Sequence, residues 1–333
     1  MMHQNMRTSS NTFGAVILGA WILLPGQASA VQTESFEQTY DLGGAGSLVL
    51  SNVSGDITVS RSDDALVHVN AVKSVHGRGS SDDALSQVRI DVSHNGDRLR
   101  IETVYEKQSR SWGGRSNHVS VRYDVRAPRE TEVRLTSVSG DVTLEGIAAR
   151  SRVKTVSGEV RIQDAADLRE AKSVSGSVEV VSSETDDDSD IGSVSGDVTL
   201  RDIRASSLSL STVSGDLRVT EASCTHAELK SVSGDVVYEA VLDGSGRYEL
   251  KSHSGDLELV LPSGTGFELE AKTFSGSIES EFDMNIETDA DDDDDNDRRR
   301  RRRRRKNIRA SVGDGSARVE VSTFSGDIWI RER

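Results

Sequence analysis

Apolar and polar residues alternate around a Ser-Gly pair, and this alternation predicts β-strands. Val138, Gly140, Val142 and Leu144 occupy even positions, and Ser, Asp and Thr residues lie between them. Successive side chains of a strand point to opposite faces. We therefore expect Val138, Val142 and Leu144 to face a hydrophobic core and the polar residues to face solvent.

The parity of the apolar positions changes just before this segment. Val133 and Leu135 occupy odd positions, so the change falls at Thr136-Ser137. The same change recurs in later copies of the motif. We therefore expect a polar corner between two strands at Thr136-Ser137 and at the equivalent positions.

This Val-Ser-Gly-Asp motif recurs ten times with small changes, and its spacing predicts the architecture. From Gly140 to Gly276 the copies are 18 to 21 residues apart. A fixed period of about 20 residues is typical of solenoids and is too short for a helix pair, which needs about 33. The sequence therefore predicts an all-β, single-chain, β-helix-like solenoid with coils of 18–21 residues. The motif glycines are Gly55, Gly140, Gly158, Gly176, Gly196, Gly215, Gly234, Gly255, Gly276 and Gly326.

Stacking the coils should bury one apolar column, two residues after each glycine. Glu184 to Asp190 is predicted to be an acidic loop that lengthens one coil. The expected column consists of Val142, Val160, Val178, Val198, Leu217, Val236, Leu257 and Ile278.

Residues 1–30 have the features of a secretory signal peptide. Arg7 precedes an apolar run from Phe13 to Leu24, and Ala28-Ser29-Ala30 is a small-residue cleavage site. An uncleaved anchor is the alternative, although the run is shorter than the roughly 20 residues of a membrane span. We expect export, with cleavage after Ala30, to the periplasm, the outer surface or the medium.

Residues 31–127 are β-rich but less regular, and we expect them to cap the solenoid formed by residues 128–333. Asn95-Gly96 between two alternating segments predicts a hairpin. A cap is needed because an open solenoid end would expose a pairing edge.

A charged block interrupts the solenoid within residues 284–312, which we expect to form a disordered loop. Seven Asp residues in Asp289–Asp297 precede nine basic residues in Arg298–Lys306. The favoured interpretation is a solvated loop whose halves neutralise each other. The alternative is contact between Arg298–Lys306 and an anionic surface. The net charge of −15 argues against nucleic-acid binding.

The outward Ser and Asp positions of the motif form a candidate binding face. A regular surface of hydroxyls and carboxylates suits a glycan or an envelope protein. Calcium binding is an alternative because Asp oxygens suit Ca²⁺, but Ser interrupts the Asp series and the calcium nonapeptide is absent. The candidate residues are Ser139, Asp141, Ser195, Asp197, Ser214, Asp216, Ser233, Asp235, Ser254 and Asp256.

The sequence contains no constellation that indicates an enzyme. A polysaccharide-processing β-helix enzyme is the catalytic alternative, but it requires paired acid and base residues outside the repeat. The histidines are scattered, and His253 occupies a position where other coils have Val or Phe, which indicates a core substitution. Cys224, the only cysteine, is expected to be structural, and no cofactor is expected.

The motifs resemble a bacterial domain family labelled "putative adhesin". The resemblance rests on the repeated Ser-Val-Ser-Gly-Asp-Val, on Val125-Arg126-Ala127-Pro128 and on Val312-Gly313-Asp314-Gly315 ahead of Thr323 to Ile328, and it covers residues 40–333. It implies an exported, non-catalytic β-solenoid of the cell envelope with a binding or scaffolding role. The charged block departs from the family pattern.

Overall fold

The computed structural model describes residues 32–76, 81–106, 118–286 and 307–333. The predicted signal peptide and the Asp289–Lys306 block lie outside these ranges.

One short helix, α1 (Ser81–Ser86), accompanies the strands, so the all-β solenoid prediction is confirmed. The strands are β1 (Thr33–Asp41), β2 (Ser47–Ser54), β3 (Ile57–Arg61), β4 (Leu66–His76), β5 (Val88–Asn95), β6 (Arg98–Tyr105), β7 (His118–Ala127), β8 (Glu132–Ser139), β9 (Val142–Glu145), β10 (Arg150–Ser157), β11 (Val160–Gln163), β12 (Asp167–Ser175), β13 (Val178–Ser195), β14 (Val198–Ser214), β15 (Leu217–Ser233), β16 (Val236–Ser254), β17 (Leu257–Leu261), β18 (Phe267–Ser275), β19 (Ile278–Ser280), β20 (Asn285–Ile286), β21 (Asn307–Val312), β22 (Ala317–Ser325) and β23 (Ile328–Glu332).

Each coil has one strand before the Ser-Gly-Asp segment and one after it, and equivalent strands stack in parallel. In the first tandem coils Val153 pairs with Leu135, and Val160 pairs with Val142. The predicted column is buried from Val142 to Leu257, and its members there are at most 1% exposed. Ile278 is only half-buried because its strand, β19, pairs with β23 alone.

The corner of each coil lies at the glycine and not at Thr136-Ser137, so the predicted position was wrong. Ser137 is 1% exposed and points inward, whereas Val138 is 46% exposed and points outward. The side-chain parity changes at Gly140, whose φ of 143° is one that L side chains rarely adopt. A Cβ atom on Gly140 would also lie 2.3 Å from the carbonyl oxygen of Gly55.

The expected acidic loop at Glu184 to Asp190 is also absent from this described part of the chain. These residues lie within β13, which pairs with β14 and accommodates the extra length by a register shift between Thr185 and Asp188. Asp186, Asp187 and Asp188 are exposed one after another at this shift, and the flanking Thr185 and Ser189 are buried.

The coils do not stack in sequence order at the end that lies nearest β20. Leu257 pairs with Ile328, and Ile328 pairs with Ile278. The coil formed by β22 and β23 therefore lies between the coil of Leu257 and the coil of Ile278, although it follows both in sequence.

Antiparallel strands cover both ends of the stack. At one end β4 pairs with β1 and β7, and β5 and β6 form the predicted hairpin around Asn95-Gly96. Residues 47–61, within the predicted cap, form a coil of their own that stacks on β8 and β9. At the other end β21 pairs with β18 and β20. Within the described ranges, no helix has the length and apolar character that crossing a bilayer requires.

Candidate functional site

The structure brings all ten candidate residues together along one corner of the solenoid. We call the Ser, the Gly and the residue that follows it in each coil the polar corner; that residue is Asp in seven of the ten coils. Ser195 pairs with Ser214, and Ser214 pairs with Ser233, so the serines follow one another from coil to coil. Their side chains are exposed. The polar corner is therefore a continuous row that runs along the side of the molecule.

The aspartates of the polar corner hold neighbouring coils together. Oδ1 of Asp216 accepts a hydrogen bond from the backbone N–H of Asp235 at 2.9 Å, and Oδ1 of Asp235 accepts one from Asp256 at 2.8 Å. At the far end Oδ1 of Asp327 accepts hydrogen bonds from the backbone N–H and the hydroxyl of Ser277. Each carboxylate thus lies against a backbone donor, which offsets the repulsion between neighbouring carboxylates.

A second ladder lies on the inner side of the corner. The hydroxyl of Ser173 donates to the carbonyl oxygen of Gly158 at 3.0 Å, and Thr323 donates to Gly255 at 3.0 Å. The inward Ser or Thr of one coil therefore satisfies the glycine carbonyl of the coil beneath it. This bond explains why a small hydroxyl residue occupies a buried position there.

At the coil of Gly55, an Asn side chain replaces the inward hydroxyl as the donor to the glycine carbonyl. The side-chain amide of Asn52 donates to the carbonyl oxygens of Gly55 and Val121, both at 2.8 Å. Ser137, whose hydroxyl would otherwise reach Gly55, has a buried Oγ without a partner among the described residues. Asn52 thereby joins the solenoid to β7 of the cap.

Sequence reasoning missed an apolar surface feature beside the polar corner. One outward residue, two positions before each glycine, is Val in seven coils and aromatic in three. We call this row the apolar stripe. In spatial order it consists of Val53, Val138, Val156, Val174, Val194, Val213, Val232, His253, Phe324 and Phe274. Its Val and Phe members are between 41% and 62% exposed.

The aromatic end of the apolar stripe corrects the prediction for His253. This residue is exposed and stacks on Phe324 with ring centroids 5.1 Å apart, and Phe324 stacks on Phe274 at 4.8 Å. The position lies outside the core in every coil, so His253 is a surface residue. Lys230 and Lys272 line a shallow groove beside these rings.

Reactive side chains of the described residues occur in separate places. The Ser54 hydroxyl forms a hydrogen bond of 2.8 Å with the His118 ring. Cys224 is buried near the Tyr238 hydroxyl at 3.3 Å, and burial raises the pKa of its thiol. His68 contacts Asp64 at 2.8 Å on the surface. Hydrogen bonds from Ser62, then His68 and Leu66, lower the pKa of Asp64 to about 2. The described ranges contain no group of three or more His, Cys, Asp or Glu residues placed to hold a metal ion.

The stacked coils, the inner hydroxyl ladder and the capped ends define a β-solenoid. The chain belongs to the Toastrack DUF4097 family, whose sequence profile matches residues 48–331. No curated protein matches the chain.

Solved structures with a similar chain path are distant in sequence. A "putative adhesin" from Bacteroides fragilis NCTC 9343 is 13% identical with a TM-score of 0.42, and the match covers 90% of this chain and 97% of that one. A "putative cell adhesion protein" from Clostridium sporogenes ATCC 15579 is 12% identical with a TM-score of 0.30, covering 91% and 100%. A "putative lipid binding protein" from Parabacteroides distasonis ATCC 8503 is 13% identical with a TM-score of 0.38, covering 89% and 96%. These likenesses are too distant to transfer a ligand.

Proposed function

We propose that this protein is a non-catalytic binding or scaffolding protein of the bacterial cell envelope, and that the polar corner is its binding face. One observation carries the proposal. Along the polar corner the Ser is exposed in nine of the ten coils and a carboxylate follows the glycine in eight, at the strand spacing of about 4.8 Å. Localisation to the envelope rests on the predicted signal peptide.

The hydrogen bonds of the corner suit such a role. The Oδ1 atoms of Asp216 and Asp235 are engaged with the backbone, so the carboxylates have fixed positions. The exposed serines on the same rungs offer donors and acceptors. A fixed row of polar groups binds with a smaller ordering cost than a flexible one. A glycan chain or an extended protein segment has the repeated polar groups to match it.

Glycan-array screening of the chain that begins at Val31 tests this function. The binding variant carries Ser195→Ala, Ser214→Ala and Ser233→Ala, which remove exposed hydroxyls without changing the inner ladder. Ser223→Ala is the control, because Ser223 is also exposed on a strand but lies outside the polar corner. We expect retention of a glycan by the parent and the control, and a loss of at least about tenfold in the triple variant.

The aspartates need a more conservative change, because removing them also removes a backbone hydrogen bond. Asp216→Asn keeps an oxygen acceptor for the N–H of Asp235 while removing the charge. Binding that falls in Asp216→Asn without a change in melting temperature supports direct contact with the ligand. A parent protein that retains no glycan or envelope protein, or that turns over a polysaccharide, contradicts the proposal.

A further inference from the structure

The apolar stripe exposes more apolar surface than a soluble monomer usually does. Its nine Val and Phe side chains are 41% to 62% exposed. If a fully exposed side chain of this kind offers about 150 Å² or more, the stripe presents on the order of 700 Å². The largest apolar patch on a typical monomer is about 300–600 Å², and larger patches mark interaction sites.

We propose that the apolar stripe is the docking surface for a second copy of this chain, and that the two solenoids lie side by side and parallel, related by a two-fold axis along the stripe. This inference goes beyond the proposed ligand-binding role, because it assigns a second partner to the row of residues beside the polar corner.

The dimensions of the stripe fit a second copy. A stable interface buries about 800 Å² on each partner, which is close to the area of the stripe and its borders. Ten rungs span about 43 Å at the strand spacing of about 4.8 Å. A second stripe has the same spacing along its whole length, so every rung meets an equivalent rung. A partner with another periodicity would match only a few rungs.

Charged rows on the two borders of the stripe determine the orientation. Two residues before the stripe, Lys154, Lys230 and Lys251 lie on one border, with side chains 53%, 50% and 40% exposed. On the other border, three residues after the stripe, lie the aspartates of the polar corner, such as Asp235. The lysines also contact glutamates of their own chain, but exposed ion pairs contribute little to stability and are easily exchanged.

Rotation about an axis along the stripe places Lys154, Lys230 and Lys251 of one copy opposite the carboxylates of Glu159, Asp235 and Asp256 of the other. Rotation about an axis perpendicular to the stripe would instead oppose lysine to lysine and aspartate to aspartate, which is unfavourable because like charges repel. The charge arrangement therefore selects the parallel dimer. In it, each stripe residue faces its own counterpart, and Phe274 and Phe324 meet the same rings of the second copy.

A membrane is a poorer partner for this surface. The chain has a net charge of −15, which repels an anionic bilayer. The aspartate row also borders the stripe along most of its length. A flat bilayer offers no row of positive charge at the matching distance, whereas a second copy does.

The dimer and a ligand of the polar corner exclude each other, because the aspartate row is part of both contacts. A ligand should therefore bind the monomer. The fraction of chains that can bind a ligand through the polar corner should therefore rise as dilution dissociates the dimer.

Sedimentation velocity on the chain that begins at Val31 tests the dimer. Val213→Asp places two carboxylates opposite each other across the two-fold axis, and Val241→Asp is the matched control, because Val213 and Val241 are 48% and 54% exposed and only Val213 lies on the stripe. We expect the parent and Val241→Asp to sediment as dimers and the dissociation constant of Val213→Asp to rise at least about 100-fold. Unchanged circular dichroism of both variants shows that the fold is intact.

Charge rescue tests the orientation. Val213→Lys alone should also be monomeric, and mixing it with Val213→Asp should restore the dimer, because position 213 faces position 213 in the parallel arrangement. The same pair of substitutions at Val156 decides the orientation, because in an antiparallel arrangement position 156 faces the rung of His253 and mixing restores nothing. Failure of rescue overturns the parallel dimer.

A parent that stays monomeric at every concentration also overturns the inference, as does a Val213→Asp variant that dimerises like the control. Binding of a monomeric parent to phosphatidylethanolamine–phosphatidylglycerol vesicles, lost in Phe274→Ser, would assign the stripe to lipid instead. None of these results decides the proposed function, since glycan retention by the polar corner is measured separately on the monomeric variant.

Discussion

The carboxylate of Asp216 accepts a hydrogen bond of 2.9 Å from the backbone N–H of Asp235, 19 residues later in the chain. The same bond links most rungs of the polar corner. Aspartate, which often marks a binding site, therefore also stabilises the fold here. Variants must be chosen so that the two roles can be told apart.

We expect Asp216→Ala to lower the free energy of unfolding by about 1 kcal/mol, because the N–H of Asp235 loses a charged acceptor at an exposed site. Asp216→Asn should lose less, because an oxygen acceptor remains. Urea denaturation followed by circular dichroism measures both. Equal stability of Asp216→Ala and the parent would contradict a structural role for the carboxylate.

Gly234→Ala should destabilise the protein by at least about 2 kcal/mol. Gly234 has a φ of 154°, and a Cβ atom there would lie 2.0 Å from the carbonyl oxygen of Gly215. Gly244→Ala is the control, because the nearest atom to its added Cβ is 3.6 Å away. Thermal melts should show a large shift for Gly234→Ala and almost none for Gly244→Ala. Similar shifts in both would argue against the tight glycine ladder.

The same substitution at two valines four residues apart should greatly reduce stability at one and hardly change it at the other. Val198 is fully buried, so Val198→Asp buries an unpaired charge and should cost about 3–5 kcal/mol. Val194 is 47% exposed, so Val194→Asp should change the stability of the monomer by no more than about 0.5 kcal/mol. Circular dichroism melts at a dilution that keeps the chain monomeric make the comparison. The reverse order of stabilities would place Val194 in the core.

Alkaline titration should reveal the buried tyrosines. Burial raises the pKa values of Tyr105, Tyr123 and Tyr248 to about 12. These groups stay neutral in the folded chain while they would ionise from about pH 10 in the unfolded chain. Their contribution to stability is therefore complete below about pH 10 and is lost as the pH rises towards 12. Tyrosinate absorbance in the near ultraviolet measures the ionisation.

The variant Thr103→Val separates two effects on the Tyr123 pKa, burial and the hydrogen bond from Thr103. The Thr103 hydroxyl forms a 2.7 Å hydrogen bond with the Tyr123 hydroxyl, and this bond lowers the Tyr123 pKa against the effect of burial. Thr103→Val should therefore raise the Tyr123 pKa further. A fall in the Tyr123 pKa would instead show that the hydrogen bond to Thr103 favours the neutral phenol.

The coil period, the buried column and the hairpin at Asn95-Gly96 could be predicted because each depends on local alternation or on a turn signal. The inward and outward assignment at Ser137 and Val138 could not, because hydrophobicity alone places Val inside. The bend occurs where the backbone needs a positive φ, at Gly140, and this forces Ser137 inward. The inward hydroxyl position is then stabilised by a bond that only stacking creates, as Ser173 shows with Gly158.

The ten candidate residues could be predicted as one row because they share a position in the period. Their hydrogen bonds could not, since each joins residues of different coils. The apolar stripe was missed because the corner was placed at Thr136-Ser137. Placing the bend at the glycine would have predicted that the residue two positions before it faces outward. The stacking order at the far end has no signal in the local sequence, because the coils of Leu257, Ile278 and Ile328 carry the same motif.

That stacking order affects how the chain can reach its native state during synthesis. Coils can add one after another as they emerge from the ribosome, up to the coil of Leu257. The next coil in sequence, that of Ile278, has its native place one layer further out. It must wait until residues 317–332 have been made and inserted, as the hydrogen bond between Asp256 and Asp327, 71 residues apart, requires. The coil of β22 and β23 and the coil of β18 and β19 are therefore completed last. This end of the protein should fold in a single late step.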